Sequence, residues 1–322
     1  MPVLELDNVR VGIGDSHILR GVSLAVSPGE TLGVVGESGC GKSMTGLAVM
    51  GMLPRGAVMK GSLKIDGREA ANFSRREWLS VRGQEVAMVM QDPFTSLNPV
   101  MRVGDQIAEV YRLHFQMGKS QAAAKAIEML AKVGVPSPAN SARKYPHQMS
   151  GGQRQRVVIA IAFAAQPKIL IADEPTTALD VTLQAQVLTL IRDMQKAEGT
   201  AVVLISHDIG VIGSVADRVA VYYAGRVVEE GTVTQVLRSP SHPYTRALLE
   251  AMPRPGLTRL SVIGGQPPRL NQLPEGCAFR PRCPHAFEKC VQDPPNFVLG
   301  ERHSSECWLC ESTAHASTSS HS

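Results

Sequence analysis

A glycine-rich segment, GESGCGKS at residues 36–43, is the feature that most restricts how this chain can fold. The stretch before it, TLGVVG, is apolar like a buried strand, and SMTGLAVMGML after it has apolar residues at helical spacing. A glycine-rich turn between a strand and a helix lets successive backbone N–H groups point inward, and the positive end of the helix adds to them. In this setting the pattern G-x-x-x-x-G-K-[ST] predicts a loop that surrounds phosphate groups.

The rest of the chain alternates predicted strands with predicted helices. Apolar or alternating runs predict strands at residues 3–11, 22–26, 85–91, 168–173 and 201–206. Helical patterns occupy most of residues 104–133, begin again at Ser150, and cover 181–198. Repeated strand–helix units predict an α/β fold with a mostly parallel sheet that is covered on both faces.

Each residue of the glycine-rich loop has an expected part in nucleotide binding. Lys42 places a mobile positive charge at the β- and γ-phosphates, and the Ser43 hydroxyl is a ligand for Mg²⁺. Cys40 contributes only its backbone N–H. The candidate ATP-binding residues of the loop are Gly36, Glu37, Ser38, Gly39, Cys40, Gly41, Lys42 and Ser43.

An acidic pair follows the apolar run ILIADEP at residues 169–175. Asp173 at the tip of the predicted strand is placed to hold Mg²⁺ through water. Glu174, the next residue, is placed to polarise a water molecule for in-line attack on a γ-phosphate. Acidic pairs at strand ends are also common in turns, so this interpretation depends on the phosphate loop.

The string MSGGQRQR at residues 149–156 predicts a second anion site at the start of a helix. A single bound nucleotide does not need two anion sites from the same chain. Two chains packed head-to-tail would use both, because the second anion site of each chain would cover the nucleotide bound by the other. An ordinary serine N-cap is the alternative interpretation of the segment by itself. The candidate residues are Ser150, Gly151, Gly152 and Gln153.

Composition limits the setting in which the chain works. Its 322 residues carry a formal net charge of +4, which is small for a nucleic-acid binder, so we expect no nucleic-acid partner. The longest apolar run, VVIAIAFAA, is about half the length of a membrane-spanning helix, and the N-terminus lacks the pattern of a secretory signal. We therefore expect a cytosolic chain that reaches a membrane only through a partner.

With three further strings, these motifs resemble the ATPase subunit of an ATP-binding cassette (ABC) transporter. These three features are a glutamine, Gln91, after a predicted strand, the string TTALD that ends at Asp180, and the string ISHD that contains His207. The resemblance implies that Gln91 senses the γ-phosphate and Mg²⁺, that Asp180 lies at a dimer interface, and that His207 contacts the γ-phosphate. The catalytic residues it implies are Glu174, His207 and Gln91, and the Mg²⁺ ligands are Ser43, Gln91 and Asp173.

The resemblance also implies a domain organisation. A P-loop NTPase core, with a RecA-like mixed sheet, helices on both faces and an N-terminal antiparallel part, is expected at 1–95 and 155–237. A helical signature subdomain is inserted at 96–154. A C-terminal extension with a cysteine-rich block follows at 238–310, and 311–322 is a disordered tail of low apolar content.

The adenine end of the site departs from the family pattern. The family usually has an aromatic residue near position 13 that stacks on adenine, whereas this chain has VGIGDSH at 11–17. Ile13 is expected to contact the base through apolar packing alone, and His17 is the alternative.

Further strings narrow the resemblance to the peptide and nickel importer branch, with a dipeptide-importer ATPase as the nearest likeness. They are QDPFTSLNP, YPHQMSGGQRQR and SPSHPYTRALLEAMP. The implied partners are a second ABC ATPase subunit in a heterodimer, two integral membrane permease subunits and an extracytoplasmic solute-binding protein. The chain would then lie at the cytoplasmic face of the membrane. A homodimer, nickel as cargo, and a soluble ABC ATPase that moves no solute remain alternatives.

Five of the six cysteines lie near the C-terminus. Cys277, Cys283, Cys290 and Cys307 have the spacing C-x5-C-x6-C-x16-C, which is wider than the C-x2-4-C pairs of most zinc sites. Four thiolates in a proline-rich loop suit an iron–sulfur cluster, and the resemblance implies a [4Fe–4S] cluster. A structural zinc site that uses the pair Cys307 and Cys310 is one alternative, and thiols without a metal are the other.

Overall fold

The protein is described from a computed structural model, which covers residues 1–177, 179–252 and 263–312. The predicted tail at 311–322 lies almost entirely outside these described residues. Within them, no helix combines the length and the apolar character needed to cross a membrane.

The regular elements alternate along the chain much as the sequence predicts. The strands are β1 (Leu4–Ile13), β2 (Ser16–Val26), β3 (Thr31–Val35), β4 (Ala57–Ile65), β5 (Arg68–Glu69), β6 (Val86–Val89), β7 (Ile169–Asp173), β8 (Ala201–Ser206), β9 (Arg218–Tyr223), β10 (Arg226–Thr232), β11 (Phe297–Gly300) and β12 (His303–Ser305). The helices are α1 (Lys42–Val49), α2 (Arg75–Val81), α3 (Pro93–Ser96), α4 (Val103–Phe115), α5 (Lys119–Lys132), α6 (Pro138–Ser141), α7 (Gly151–Phe163), α8 (Val181–Glu198), α9 (Ile209–Val215), α10 (Val233–Arg238) and α11 (Pro243–Glu250).

The described strands form two sheets. A four-stranded antiparallel sheet has the order β2-β1-β4-β5, and an eight-stranded mixed sheet has the order β11-β12-β10-β9-β3-β8-β7-β6. Strands β9, β3, β8, β7 and β6 run parallel to one another, whereas β10, β12 and β11 pair antiparallel. The mixed sheet agrees with the predicted P-loop NTPase fold.

Apolar side chains cover both faces of the large sheet. On β7, Leu170 and Ala172 pack into one core, and the intervening Ile169 and Ile171 pack into the other, as the alternation of a strand requires. The first core contains residues of α7 and α8, and the second contains residues of α1 and of the small antiparallel sheet. Burial on both faces explains why β3, β7 and β8 have nearly continuous apolar sequences.

Helix α8 and strand β8 occupy the predicted ranges, and β3 and β7 lie inside theirs. No sequence pattern predicted β4, β5, β9, β10, β11 or β12. Every residue of β9 is buried, so RVAVYY lacks the alternation by which a half-buried strand is recognised.

Candidate nucleotide-binding site

The parallel strands bring four predicted segments to one edge of the sheet. Strand β3 leads into the phosphate loop and β7 ends at Asp173. Strand β8, which lies between them, leads to His207, and β6 beyond β7 leads to Gln91. Because these strands are parallel, their carboxyl ends meet at the same edge, which is where ligands bind in open α/β sheets.

The phosphate loop adopts a conformation that its first residue makes possible. Gly36 has φ of 157°, and a Cβ atom placed there would lie 2.2 Å from the Tyr222 carbonyl oxygen. Lys42 is buried, and its Nζ donates to the Gly36 carbonyl oxygen at 2.7 Å and to the Glu37 carbonyl oxygen at 3.0 Å. The lysine charge is therefore held against the loop at the start of α1.

The Ser43 hydroxyl connects the loop to the acidic pair. Its Oγ donates to Asp173 Oδ1 at 3.1 Å. Burial, and to a smaller degree the neighbouring Glu174 carboxylate, raise the pKa of Asp173, while the hydrogen bond from Ser43 acts against them. A cation next to these two oxygens would stabilise the ionised carboxylate, so the pair has the chemistry of a Mg²⁺ site.

Three side chains surround one carboxylate oxygen of Glu174. Its Oε2 accepts from Gln91 Nε2 at 3.1 Å and from Thr177 Oγ1 at 2.9 Å, and His207 Nδ1 lies 3.4 Å away. The Glu174 backbone has φ of 46°, in the left-handed region that few non-glycine residues adopt, and its N–H donates to the Ile205 carbonyl oxygen. Such backbone conformations cluster at functional sites, because surrounding structure must hold them.

Most of these groups border one open cleft of about 580 Å³, but Asp173 is not among its lining residues within the described part of the chain. Within the described residues, Ile13 and His17 do not line it, and neither do Gly36, Glu37 or Cys40 of the loop. Its lining residues are Ile18, Ser38, Gly39, Gly41, Lys42, Ser43, Met44, Gln91, Glu174, Thr177 and His207.

Three of the lining residues were not among the sequence-predicted site residues. Thr177 belongs to the TTALD string, which contained the signal for it. Met44 directly follows the loop. Ile18 lies on β2, the returning strand of the β1–β2 hairpin in which Ile13 pairs with Ser16.

The structure places the signature residues apart from this cleft. Ser150 is exposed and caps α7: its Oγ accepts from the Gln153 N–H, and the Gln153 side chain accepts from the Ser150 N–H. A Cβ on Gly151 would meet no atom within 4 Å, so the helix start is open to an approaching group. Asp180 is also exposed and caps α8 by accepting from Leu183.

Four cysteines of the C-terminal block border one small cavity. Cys277, Cys283, Cys290 and Cys307 line it together, and no disulfide joins any of the six cysteines, all of which are in the described part of the chain. Burial raises the pKa of Cys277 and Cys283, since a thiolate is poorly solvated there. As placed, no group of three or more His, Cys, Asp or Glu side chains among the described residues is arranged to hold a metal ion.

Two family models match the chain. A model described as "ABC transporter" matches residues 19–177, which include the phosphate loop, the signature string and the acidic pair. A model described as "Oligopeptide/dipeptide transporter, C-terminal region" matches residues 228–290, which include the first three cysteines of the block.

Curated relatives and a solved structure agree with these models. The chain is 47% identical over 302 residues to the oligopeptide transport ATP-binding protein OppD of Bacillus subtilis, covering 92% of this chain and 84% of that protein. It is 44% identical over 321 residues to the dipeptide transport ATP-binding protein DppD of the same organism, covering 97% and 96%. A dimeric post-hydrolysis structure of the ATP-binding cassette MJ0796 with ADP and Pi matches with a TM-score of 0.63 and 27% identity, over 71% of this chain and 98% of that one. The chain therefore belongs to the ATP-binding proteins of the oligopeptide and dipeptide ABC transporter family.

Proposed function

We propose that this protein hydrolyses ATP to drive the import of oligopeptides or dipeptides across the cytoplasmic membrane. The observation that carries the proposal is the position of Glu174, whose Oε2 faces Gln91, Thr177 and His207 in the same cleft as Lys42. Relatives named for oligopeptide and dipeptide transport, matched over most of their length, support peptides as cargo.

In this proposal the loop binds the phosphates of ATP, and the acidic pair activates the attacking water and helps to bind Mg²⁺. Lys42 exchanges the carbonyl oxygens of Gly36 and Glu37 for the β- and γ-phosphates of ATP. Glu174 accepts a hydrogen bond from the attacking water and increases its nucleophilicity, while Gln91 and His207 fix the carboxylate and reach the γ-phosphate. Ser43, Gln91 and Asp173 would hold Mg²⁺, which supplies positive charge to the β- and γ-oxygens.

A second ATPase subunit completes the site in this proposal. Ser150 is exposed, Gly151 and Gln153 are partly exposed and Gly152 is buried, and none of the four lines the cleft of its own chain within the described residues. The start of this helix is therefore available to a nucleotide bound by another subunit. Asp180 is also exposed, as an interface residue should be. The matched MJ0796 structure is dimeric, which supports a pair of subunits. We infer that the pair is a head-to-tail heterodimer, as in the peptide-importer branch.

Membership of a transporter family supports the remaining partners. We propose two permease subunits in the membrane and an extracytoplasmic solute-binding protein, with this chain bound to the cytoplasmic face. We expect the chain to copurify with the permease subunits from detergent-solubilised membranes. Recovery of the chain entirely in the soluble fraction, when the permease subunits are present, would instead favour an ABC ATPase that moves no solute.

The four cavity-lining cysteines fit an iron–sulfur cluster by their donor chemistry. The four cysteines line one cavity, although as placed they are not arranged to hold a metal ion. The Cys277 N–H donates to the Cys290 carbonyl oxygen, which links two of the cysteine backbones. Buried thiolates need a compensating cation, and four cysteines are the usual ligand set of a [4Fe–4S] cluster. When bound, the cluster would cross-link the block and supply a one-electron redox couple. We propose Cys277, Cys283, Cys290 and Cys307 as its ligands.

The metal of the cysteine block can be identified in protein purified without oxygen. We expect broad visible absorption that is bleached by reduction, with iron and acid-labile sulfide in equal amounts. Cys290→Ser should lose this absorption, whereas Cys310→Ser should keep it, because Cys310 does not line the cavity. If the wild-type protein instead contained zinc and no iron, and the Cys310→Ser variant lost this zinc, the result would support the alternative site that uses Cys307 and Cys310.

A further inference from the structure

Glu37, the second residue of the phosphate loop, is hydrogen-bonded to two residues of the C-terminal part of the chain. Its carboxylate accepts two hydrogen bonds from Arg282, with Oε2 at 2.6 Å from Nη1 and Oε1 at 2.9 Å from Nη2. Its backbone N–H donates to the Tyr244 hydroxyl at 2.9 Å. The ion pair joins residues that are 245 positions apart in sequence.

Every polar group of Glu37 is engaged in holding the loop. Besides the contacts to Arg282 and Tyr244, its carbonyl oxygen accepts from Lys42 Nζ at 3.0 Å. Glu37 is not among the residues that line the cleft, so its carboxylate is not placed to contact phosphate within the described structure. A glutamate next to a polyphosphate site would repel the nucleotide if it were uncompensated, and Arg282 removes that repulsion.

Arg282 itself is fixed in place by its surroundings. Its side chain is only 4% exposed, its Nε donates to the Gly264 carbonyl oxygen at 2.9 Å, and its Nη1 donates to the Tyr223 hydroxyl at 3.2 Å. The guanidinium also lies over the rings of Tyr223 and Phe279, each at 5.9 Å from the centroid. A bidentate, buried arginine pair holds a carboxylate in one orientation, which a lysine does not do.

Tyr244 belongs to the same rigid surroundings. It is fully buried, and its ring lies 4.5 Å from that of Tyr223 and 5.4 Å from that of Phe279, centroid to centroid. Tyr223 is the last residue of β9, which neighbours β3, the strand that leads into the loop. The aromatic cluster thus connects the C-terminal part of the chain to the base of the phosphate loop.

We infer that Arg282, together with Tyr244, is a positioning residue of the ATP site: it holds Glu37, fixes the first peptides of the phosphate loop, and thereby sets the affinity for ATP. This inference rests on the proposed function, because the loop is taken to bind ATP. It gives the C-terminal part of the chain a role in nucleotide binding that the cleft residues alone do not indicate.

The test measures KM for ATP and kcat of the assembled transporter, and ATP binding to the full chain by calorimetry. We expect Arg282→Met to raise both KM and the dissociation constant about tenfold, as a small misplacement of a binding group does, with a smaller change in kcat. Arg282→Lys should restore part of the affinity, because it keeps the charge but not the two parallel hydrogen bonds. The double variant that combines Arg282→Met with Glu37→Gln should bind ATP no more weakly than Arg282→Met alone, because the two substitutions remove the same contact.

Arg226→Met is the matched control. Arg226 pairs with Asp293 and Glu306, so the variant breaks another ion pair between the sheet and the C-terminal part of the chain without touching the loop. Unchanged ATP affinity in Arg282→Met, or an equal loss in Arg226→Met, would overturn the inference. Glu37→Gln, at a side chain that is 24% exposed, tests the same contact should Arg282→Met fail to fold. A transporter that binds ATP but does not hydrolyse it would contradict the proposed function, while the calorimetry would still decide the role of Arg282.

Discussion

The Glu174→Gln variant is expected to bind ATP as the wild type does and to hydrolyse it about 100- to 10,000-fold more slowly, the usual contribution of a positioned general base. Glutamine has nearly the same shape as glutamate and keeps an oxygen that accepts from Gln91 and Thr177. It lacks the negative charge that polarises the attacking water. Steady-state phosphate release measures the rate, and calorimetry measures the binding.

Glu128→Gln is the control for this substitution. Glu128 is exposed on α5 and pairs only with Lys125 among the contacts described, so the same chemical change there should leave the hydrolysis rate unaltered. A Glu174→Gln variant that hydrolyses ATP near the wild-type rate would mean that another cleft residue, such as His207, activates the water.

The Ser150→Arg variant is expected to bind ATP in its own cleft but to lose ATP-dependent subunit pairing and about 100-fold of the hydrolysis rate. The exposed start of α7 is taken to close the nucleotide of the partner subunit, and a bulky side chain at Ser150 blocks that contact. The size of the effect is that of removing hydrogen-bond donors from a site where charge develops in the transition state. Size-exclusion chromatography with ATP, in the Glu174→Gln background, measures the pairing.

Ser74→Arg is a matched control, because Ser74 caps α2 with the same reciprocal arrangement, here with Glu77. Both substitutions remove a helix cap, so both lower stability by about 1 kcal/mol, but only Ser150→Arg should lose hydrolysis. Equal activities of the two variants would contradict a composite site.

The sequence was sufficient to predict those parts of the site that lie at strand ends. The loop at 36–43, the acidic pair and His207 each follow a strand whose apolar run is recognisable, and parallel pairing then brings them together. The family pattern supplied Gln91, which the structure places against Glu174.

Other features depend on contacts between distant residues and could not be predicted in this way. The presence of Ile18 in the cleft lining depends on the register of the β1–β2 hairpin, which one residue of shift would change. The pair of Glu37 and Arg282 has no local signature, because the two residues lie 245 positions apart in sequence. Strand β9 is buried on both faces and therefore lacks an alternating pattern.

The most direct test of the central claim, that this cleft drives peptide import, is the accumulation of a labelled peptide in proteoliposomes. They would contain the permease subunits, this chain and its partner ATPase, with the solute-binding protein on the side from which peptide is taken up. With ATP we predict accumulation above the external concentration for the wild type and none for Glu174→Gln. The claim would be contradicted if the wild-type complex hydrolysed ATP without accumulating peptide. It would also be contradicted if the wild-type and Glu174→Gln complexes accumulated peptide equally.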